Sequence, residues 1–251
     1  MRTGLIVDAD VLAVTNGSGA TVPTVERIGE TFGVRPTQVL ADSNHGAGAT
    51  LEALAEAGVD ALIPVEGRAT PASVAREDGS RPVPESEWAA LPRSGPKGKL
   101  DRAAFLYDKA RDGYWCPMGR LLTFFHTSTQ QRGGGEAHYR TYRSTDCAGC
   151  GLAGACLSKE GTPRSVSRDQ HEGRREAMRV RLASEAGRAA YRRRAPLAEG
   201  TMAGLKAVLG VRQFLLRGLA AVRTEWMWVC VAFNLKKVIG LWRRGVAGAS
   251  V

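Results

Sequence analysis

The chain has 251 residues, is 43% hydrophobic, and carries a formal net charge of +10. That length and apolar content allow one large domain, or one domain with an insertion, and exclude a fibrous or low-complexity chain. The basic balance points to a polyanionic partner, most often nucleic acid, although charge alone does not separate DNA from RNA or a membrane surface.

Met1-Arg2-Thr3 leads directly into a strand-like run, without the basic, apolar and small-residue order of a secretory signal, so a cytoplasmic location is expected. Gly4 to Val11 is apolar and β-branched with an acidic interruption, and the cluster Asn16 to Gly19 bounds it, which predicts a strand. Val22, Val25, Ile28 and Phe32 mark a helix closed by Gly33 and Pro36. Thr37 to Asp42 reads as a short buried strand ending on a carboxylate, and Ser43 to Gly48 as the loop after it. A helix over Thr50 to Ala57 and a strand over Val59 to Val65 complete a β, loop, α, β order, as in an α/β domain. Asp42, beside a glycine-rich turn, is placed to hold a metal ion at the sheet edge, or ends the strand simply as a turn former. His45 reads as solvent-facing.

Gly67 to Lys99 is rich in Pro, Gly, Ser and charge and reads as a linker or surface loop anchored by Trp88, with Lys97 and Lys99 facing phosphate or solvent. Phe105 to Tyr107, Gly113 to Pro117 and Leu121 to Phe125 predict short strands of a hairpin-bearing insertion. Cys116 stands before a proline turn, and Cys147, Cys150 and Cys156 follow the glycine loop at Gly133 to Gly135. In a reducing compartment such clustering argues for metal rather than disulfides. Four thiolates with one tight pair suit a tetrahedral structural Zn2+; an iron–sulfur cluster and four unligated thiols are the alternatives. Cys230 is simplest as a core residue.

Gly161 to Arg194 is arginine-rich, with Arg164, Arg168, Arg174, Arg175, Arg179, Arg181, Arg188, Arg192, Arg193 and Arg194. It reads as a phosphate-tracking surface or as a solvated basic helix. At helical spacing Tyr191, Glu199 and Lys206 share a narrow arc, with Arg194 at its edge. Pro196 predicts a break or a helix start, which would put Glu199 in a first turn where the helix dipole favours negative charge. Phe214, Leu215, Leu219, Val222, Trp226, Val229, Cys230, Phe233 and Val238 form a buried stripe on a long helix. Trp226 to Trp242 is interrupted by Asn234, Lys236 and Lys237, falls short of the ~20 apolar residues of a membrane span, and reads as a core helix.

Several of these patterns coincide: Tyr191-x2-Arg194, Glu199-x6-Lys206, the run Phe214 to Leu219, the pair Glu225-Trp226, and Asn234 to Lys237. Together they resemble the C-terminal end of DDE transposases from bacterial insertion sequences, in the subgroup with a Tyr, Arg, Glu, Lys signature and a four-cysteine insertion. Val39-Leu40-Ala41-Asp42 and the helix around Leu51 to Leu54 resemble the second-aspartate segment of the same proteins.

The resemblance implies an α/β fold: an incomplete RNase H-like domain interrupted by a cysteine-bearing, mainly β and loop insertion, with C-terminal helices. The expected parts are residues 1–66 and 166–245 of the catalytic domain, a linker at 67–100 and an insertion at 101–165. It implies that Asp42 and Glu199 are catalytic carboxylates binding Mg2+ (or Mn2+), that Arg194 and Lys206 contact phosphate, and that Tyr191 positions DNA. Cys116, Cys147, Cys150 and Cys156 then favour structural zinc. The implied partner is double-stranded DNA, at transposon ends and target; a homodimer is compatible with it and a membrane is not expected. The implied reaction is cleavage and strand transfer by in-line displacement on two metal ions.

The sequence departs from the family at Gly200, Thr201, Phe233 and His45. Neither Asp8 nor Asp10 aligns with the first catalytic aspartate, so the chain is expected to be a truncated copy, the C-terminal portion of a disrupted transposase, inactive and poorly soluble alone. A non-catalytic DNA-binding remnant or regulator is the alternative.

Overall fold

The computed structural model describes residues 4–14, 17–67, 78–132, 135–159 and 161–243. The fold is mixed α/β and divides into two compact units, one of Met1–Pro64 with Arg181–Val251 and one of Val65–Val180. Met1 to Thr3, Asn16, Gly133, and residues 244 and 245 of the expected catalytic domain lie outside the described residues, as does much of the expected linker.

In the first unit the strand predicted at Gly4 to Val11 does not form a ladder with any described residue. Apolar, β-branched composition gives a segment strand propensity, but a strand exists only beside a partner. Side chains hold this segment instead. The Asn234 amide accepts from the Ile6 N–H at 2.9 Å and donates to the Ile6 carbonyl at 2.7 Å. Arg27 holds Asp8 at 2.7 Å, and Arg223 holds Asp10 at 2.9 Å.

Helix α1, Thr21–Phe32, follows the predicted period, with Val25 buried and Val22 and Ile28 half-buried. Gly33 closes it in the left-handed region, at φ 69°, donating to the Gly29 carbonyl. Strands β1, Gln38–Leu40, and β2, Asp60–Leu62, pair in parallel, with Gln38 opposite Asp60 and Leu40 opposite Leu62. Helix α2, Gly48–Glu56, crosses between them and buries Leu51 and Leu54. A parallel pair needs such a crossover, and the sequence supplies one at the expected place.

The second unit starts with the short antiparallel pair β3, Arg93–Ser94, and β4, Lys99–Leu100. Five antiparallel strands follow in sequence order: β5, Leu106–Asp108; β6, Gly113–Trp115; β7, Leu121–Arg132; β8, Gly135–Arg143; and β9, Ser165–Asp169. Strand β7 runs seven residues past the predicted end at Phe125, with a register irregularity between Phe124 and His126. Its polar continuation is held by the ladder with β8 rather than by a buried face. Tyr114, Leu122, Tyr142, Phe105, Leu100 and Val166 form the core, against which Trp88 packs while donating to the Val83 carbonyl at 3.0 Å.

Helix α3, Ala153–Cys156, precedes α4, Glu172–Ala183. Glu172, 1% exposed, accepts from Arg102, from Arg175 at 2.6 Å and from Arg179 at 2.8 Å. Arg168 stacks on Tyr107 at 3.5 Å, and Arg164 donates to the Leu100 carbonyl at 3.0 Å. Much of the predicted phosphate-tracking run is therefore engaged inside its own unit, because acidic and aromatic partners distant in sequence neutralise it. Arg174, Arg188 and Arg192 stay exposed.

The chain returns to the first unit with α5, Glu185–Arg192, capped by the Ser184 hydroxyl, which accepts from the Gly187 N–H at 3.0 Å. Helix α6, Arg194–Ala203, follows after a single residue, Arg193, whose backbone is itself helical. Pro196 is the third residue of α6, where its missing N–H breaks no intrahelical bond. Glu199 is then the sixth residue, in the second turn instead of the first, because the helix begins before the proline.

A π turn at Gly204–Val208 carries Lys206 and buries Leu205. The last helix, α7, spans Leu219–Arg243. It starts later than predicted because Gly218, at φ 85°, breaks the chain in front of it. Cys230 and Phe233 are buried as expected, whereas Leu215, Leu219 and Val238 are exposed. No described helix is long and apolar enough to cross a membrane.

Candidate functional site

Asp42 sits two residues beyond β1, at the start of a 3-10 turn, Ser43–His45, where its Oδ1 accepts from the Asn44 N–H at 3.0 Å. This is ordinary turn chemistry for an aspartate at a strand exit, and it orients the carboxylate. Gly46, buried in the same loop, faces the Pro64 backbone so closely that any Cβ would overlap its carbonyl oxygen. His45 is half-buried and its Nδ1 meets the Thr21 hydroxyl at 2.8 Å, so it is packed on α1 instead of facing solvent. Both contacts pin the loop that carries Asp42.

Helices α5 and α6 bring two more residues to this end of β1. Arg194 Nη2 lies 3.5 Å from Asp42 Oδ2, and the Tyr191 hydroxyl donates to the Ala41 carbonyl at 3.1 Å. Burial raises the Tyr191 pKa; the Asp42 charge adds to that rise and the Arg194 charge opposes it. Arg193 donates to Gln38 Oε1 at 2.5 Å. Arg193, Arg194, Thr37, Gln38 and Leu197 line an open cleft of about 360 Å³. Two guanidiniums on such a wall suit phosphate oxygens. Gln38 is the residue that sequence patterns left unmarked, because nothing in its neighbourhood signals a cleft.

Glu199 and Lys206 are both exposed, and among the described residues neither side chain makes a hydrogen bond or ion pair. The structure thus brings Asp42, Tyr191 and Arg194 together, and neither Glu199 nor Lys206 is joined to them by a side-chain hydrogen bond or ion pair. Among the described residues there is no group of three or more His, Cys, Asp or Glu arranged to hold a metal ion. The donors do match a hard divalent ion chemically: Glu199 is unengaged, and Asp42 Oδ2 has only the long contact with Arg194.

In the second unit Cys116, Cys147, Cys150 and Cys156 line one small apolar cavity of about 30 Å³, on the order of a single water's volume. None of them is in a disulfide. The turn after Cys116 is built for sulfur, with the Arg120 N–H donating to Cys116 Sγ at 3.4 Å and the Gly119 N–H to the Cys116 carbonyl at 3.0 Å. Burial pushes the Cys156 thiol up to about 11 and also raises Cys116, and nearby sulfurs add to both. The four sulfurs share a wall without closing to a coordination shell. Thiolates are the donor class that zinc takes, although these four form no group arranged to hold it as they stand.

Residues 115–239 match the family model of the transposase DDE domain. The matched span contains all four of these cysteines and Tyr191, Arg194, Glu199 and Lys206; Asp42 lies before it. No curated protein and no solved structure matches the chain.

Proposed function

We propose that the chain is a DDE-type DNA transposase that cleaves and joins DNA strands at insertion-sequence ends, acting in the cytoplasm on double-stranded DNA as a homodimer. The observation that carries this reading is the approach of Tyr191 and Arg194, from the family-matched segment, to Asp42, which lies outside it. A net charge of +10 favours the polyanionic substrate.

In this reading Arg194, with Arg193 beside it, seats the scissile phosphate, and Lys206 contacts a neighbouring one. The loose 3.5 Å pairing leaves the Arg194 guanidinium able to turn from Asp42 to a phosphate oxygen. Tyr191, tied through its hydroxyl to the Ala41 carbonyl, locks α5 against the strand that presents Asp42 and positions the DNA. Asp42 and Glu199 are the carboxylates that would hold Mg2+ or Mn2+, which when bound activates the attacking oxygen and stabilises the leaving one. The RNase H-like character of the catalytic domain and a structural Zn2+ on the four cysteines belong to the same proposal. The zinc would tie the turn at Cys116 to the segment from Cys147 to Cys156.

A second reading, DNA binding without chemistry, is favoured by the isolation of Glu199 and the absence of a three-ligand group among the described residues. Nicking of supercoiled plasmid by the purified chain, with DNA binding measured in parallel, separates the two. The proposal expects nicking that requires Mg2+ or Mn2+ and disappears in Asp42→Ala and Glu199→Ala while binding persists. Binding without nicking selects the second reading, and loss of both properties in the unmodified chain refutes each.

A further inference from the structure

Helix α7 has two apolar faces, and among the described residues only one is used. The inner face buries Cys230 and Phe233 and presents Asn234 to the Ile6 backbone. On the outer face Trp228, Val231, Leu235, Val238, Ile239 and Trp242 are all exposed, at 71% for Trp228, 58% for Leu235 and 67% for Trp242. An exposed apolar face opposite a buried one marks a surface made to be covered, and among the described residues nothing covers it.

The spacing of the outer face indicates what covers it. Trp228, Val231, Leu235, Val238 and Trp242 recur at steps of three and four, the heptad seam along which helices pair. The stripe is also nearly symmetric about Leu235. Reversing the helix direction there places Trp228 on Trp242 and Val231 on Ile239, both apolar for apolar, while Leu235 meets itself. Self-complementarity under reversal is what a two-fold, isologous contact between identical chains requires, and a foreign partner has no need of it.

The area is also adequate. With each fully exposed tryptophan offering roughly 250 Å², the six side chains present on the order of 650 Å² of apolar surface. This exceeds the ~300–600 Å² of the largest patch on a typical monomer and approaches the ~800 Å² per partner of a standard interface.

We propose that α7 pairs antiparallel with α7 of a second copy of this chain, about an axis through Leu235. This deepens the homodimer part of the proposed function and is independent of its phosphodiester chemistry.

Light scattering and sedimentation of the full chain at micromolar concentration provide the test. The wild type is expected to be a dimer, and Leu235→Glu, which sets two carboxylates against each other on the axis, to weaken it about 100-fold with an unchanged circular dichroism spectrum. Trp228→Ser serves as a milder variant if Leu235→Glu does not fold. Orientation is read by oxidative cross-linking, in which Trp228→Cys and Trp242→Cys chains cross-link when mixed and neither does alone. A monomeric wild type, or a dimer indifferent to both outer-face variants, overturns the proposal and assigns the stripe to a different polypeptide. Self-cross-linking of each single variant overturns the antiparallel arrangement. Plasmid nicking in the same preparations shows whether the catalytic reading stands or falls separately.

Discussion

Replacing Glu172 by alanine tests whether the arginine-rich start of α4 is an internal structural element or a free basic surface. The carboxylate is 1% exposed, and its three partners Arg102, Arg175 and Arg179 have side chains 33%, 17% and 7% exposed. Burial alone would raise the Glu172 pKa. The Arg102 charge and the bonds from Arg175 and Arg179 outweigh it, and the net shift is downward.

Removing the carboxylate leaves three crowded guanidiniums, two of them largely shielded from water, without their shared counter-charge. Breaking a buried ion pair in this way costs about 3–5 kcal/mol, a large part of the ~5–15 kcal/mol that holds a typical domain together. Glu172→Gln keeps the size and one acceptor, and its expected cost is about 1–3 kcal/mol. Urea denaturation, with amide hydrogen exchange resolving β5 to β9, measures both. Because the folded pKa lies below the unfolded value of about 4.3, the stabilisation is full above that pH and is lost as pH falls through the folded pKa. The acid limb of the stability curve should therefore flatten in Glu172→Gln. A loss below about 1 kcal/mol in Glu172→Ala would show that these arginines do not depend on the carboxylate, and would return α4 to the candidate DNA surface.

Two further outcomes concern the pinned loop and the cysteines. Gly46→Ala places a Cβ against the Pro64 carbonyl oxygen, with an expected cost of about 1–3 kcal/mol and a displaced Asp42; plasmid nicking should fall at least tenfold with DNA binding kept, and wild-type melting and nicking together would refute the close approach. For the cysteines, elemental analysis of the purified chain should find zinc, Cys150→Ser should lose it, and chelation should lower the melting temperature of the wild type but not of the variant. A zinc-free chain that melts identically with and without chelator would leave the four sulfurs as unligated thiols.

How far the fold was legible depended on where each element finds its partners. The unit from β1 to β2 is local: its crossover helix closes within the same stretch of chain, and pattern alone located it. Gly4 to Val11 has comparable strand propensity but no adjacent ladder, and Asn234, more than two hundred residues away, decides its conformation. Arginines posed the same difficulty. Nothing near Arg181 in sequence announces that Asp60 will hold it at 2.9 Å, or that Glu172 will gather Arg102 to α4. Of the candidate site, Asp42 was marked by a strand end, and Tyr191 and Arg194 by their helical spacing and the family signature; that the three meet at the end of β1 was not legible. The placement of Glu199 was not, because it hinged on two residues of helix before Pro196.

Helix α7 shows a deeper limit of periodicity. Apolar residues occur all round it, so any stripe drawn at steps of three and four fits, and the predicted stripe joined Phe233 of one face to Val238 of the other. A residue outside the helix helps set the true inner face: Gly204, whose missing side chain leaves room for the Phe233 ring, since a Cβ there would come within 2.9 Å of it. Once Phe233 is seated, the helical repeat turns Trp228, Leu235 and Trp242 outward together. An apolar surplus that looked like redundancy in one core helix then becomes two separate surfaces, one fixed by the rest of the chain and the other matched in spacing to its own reversed copy.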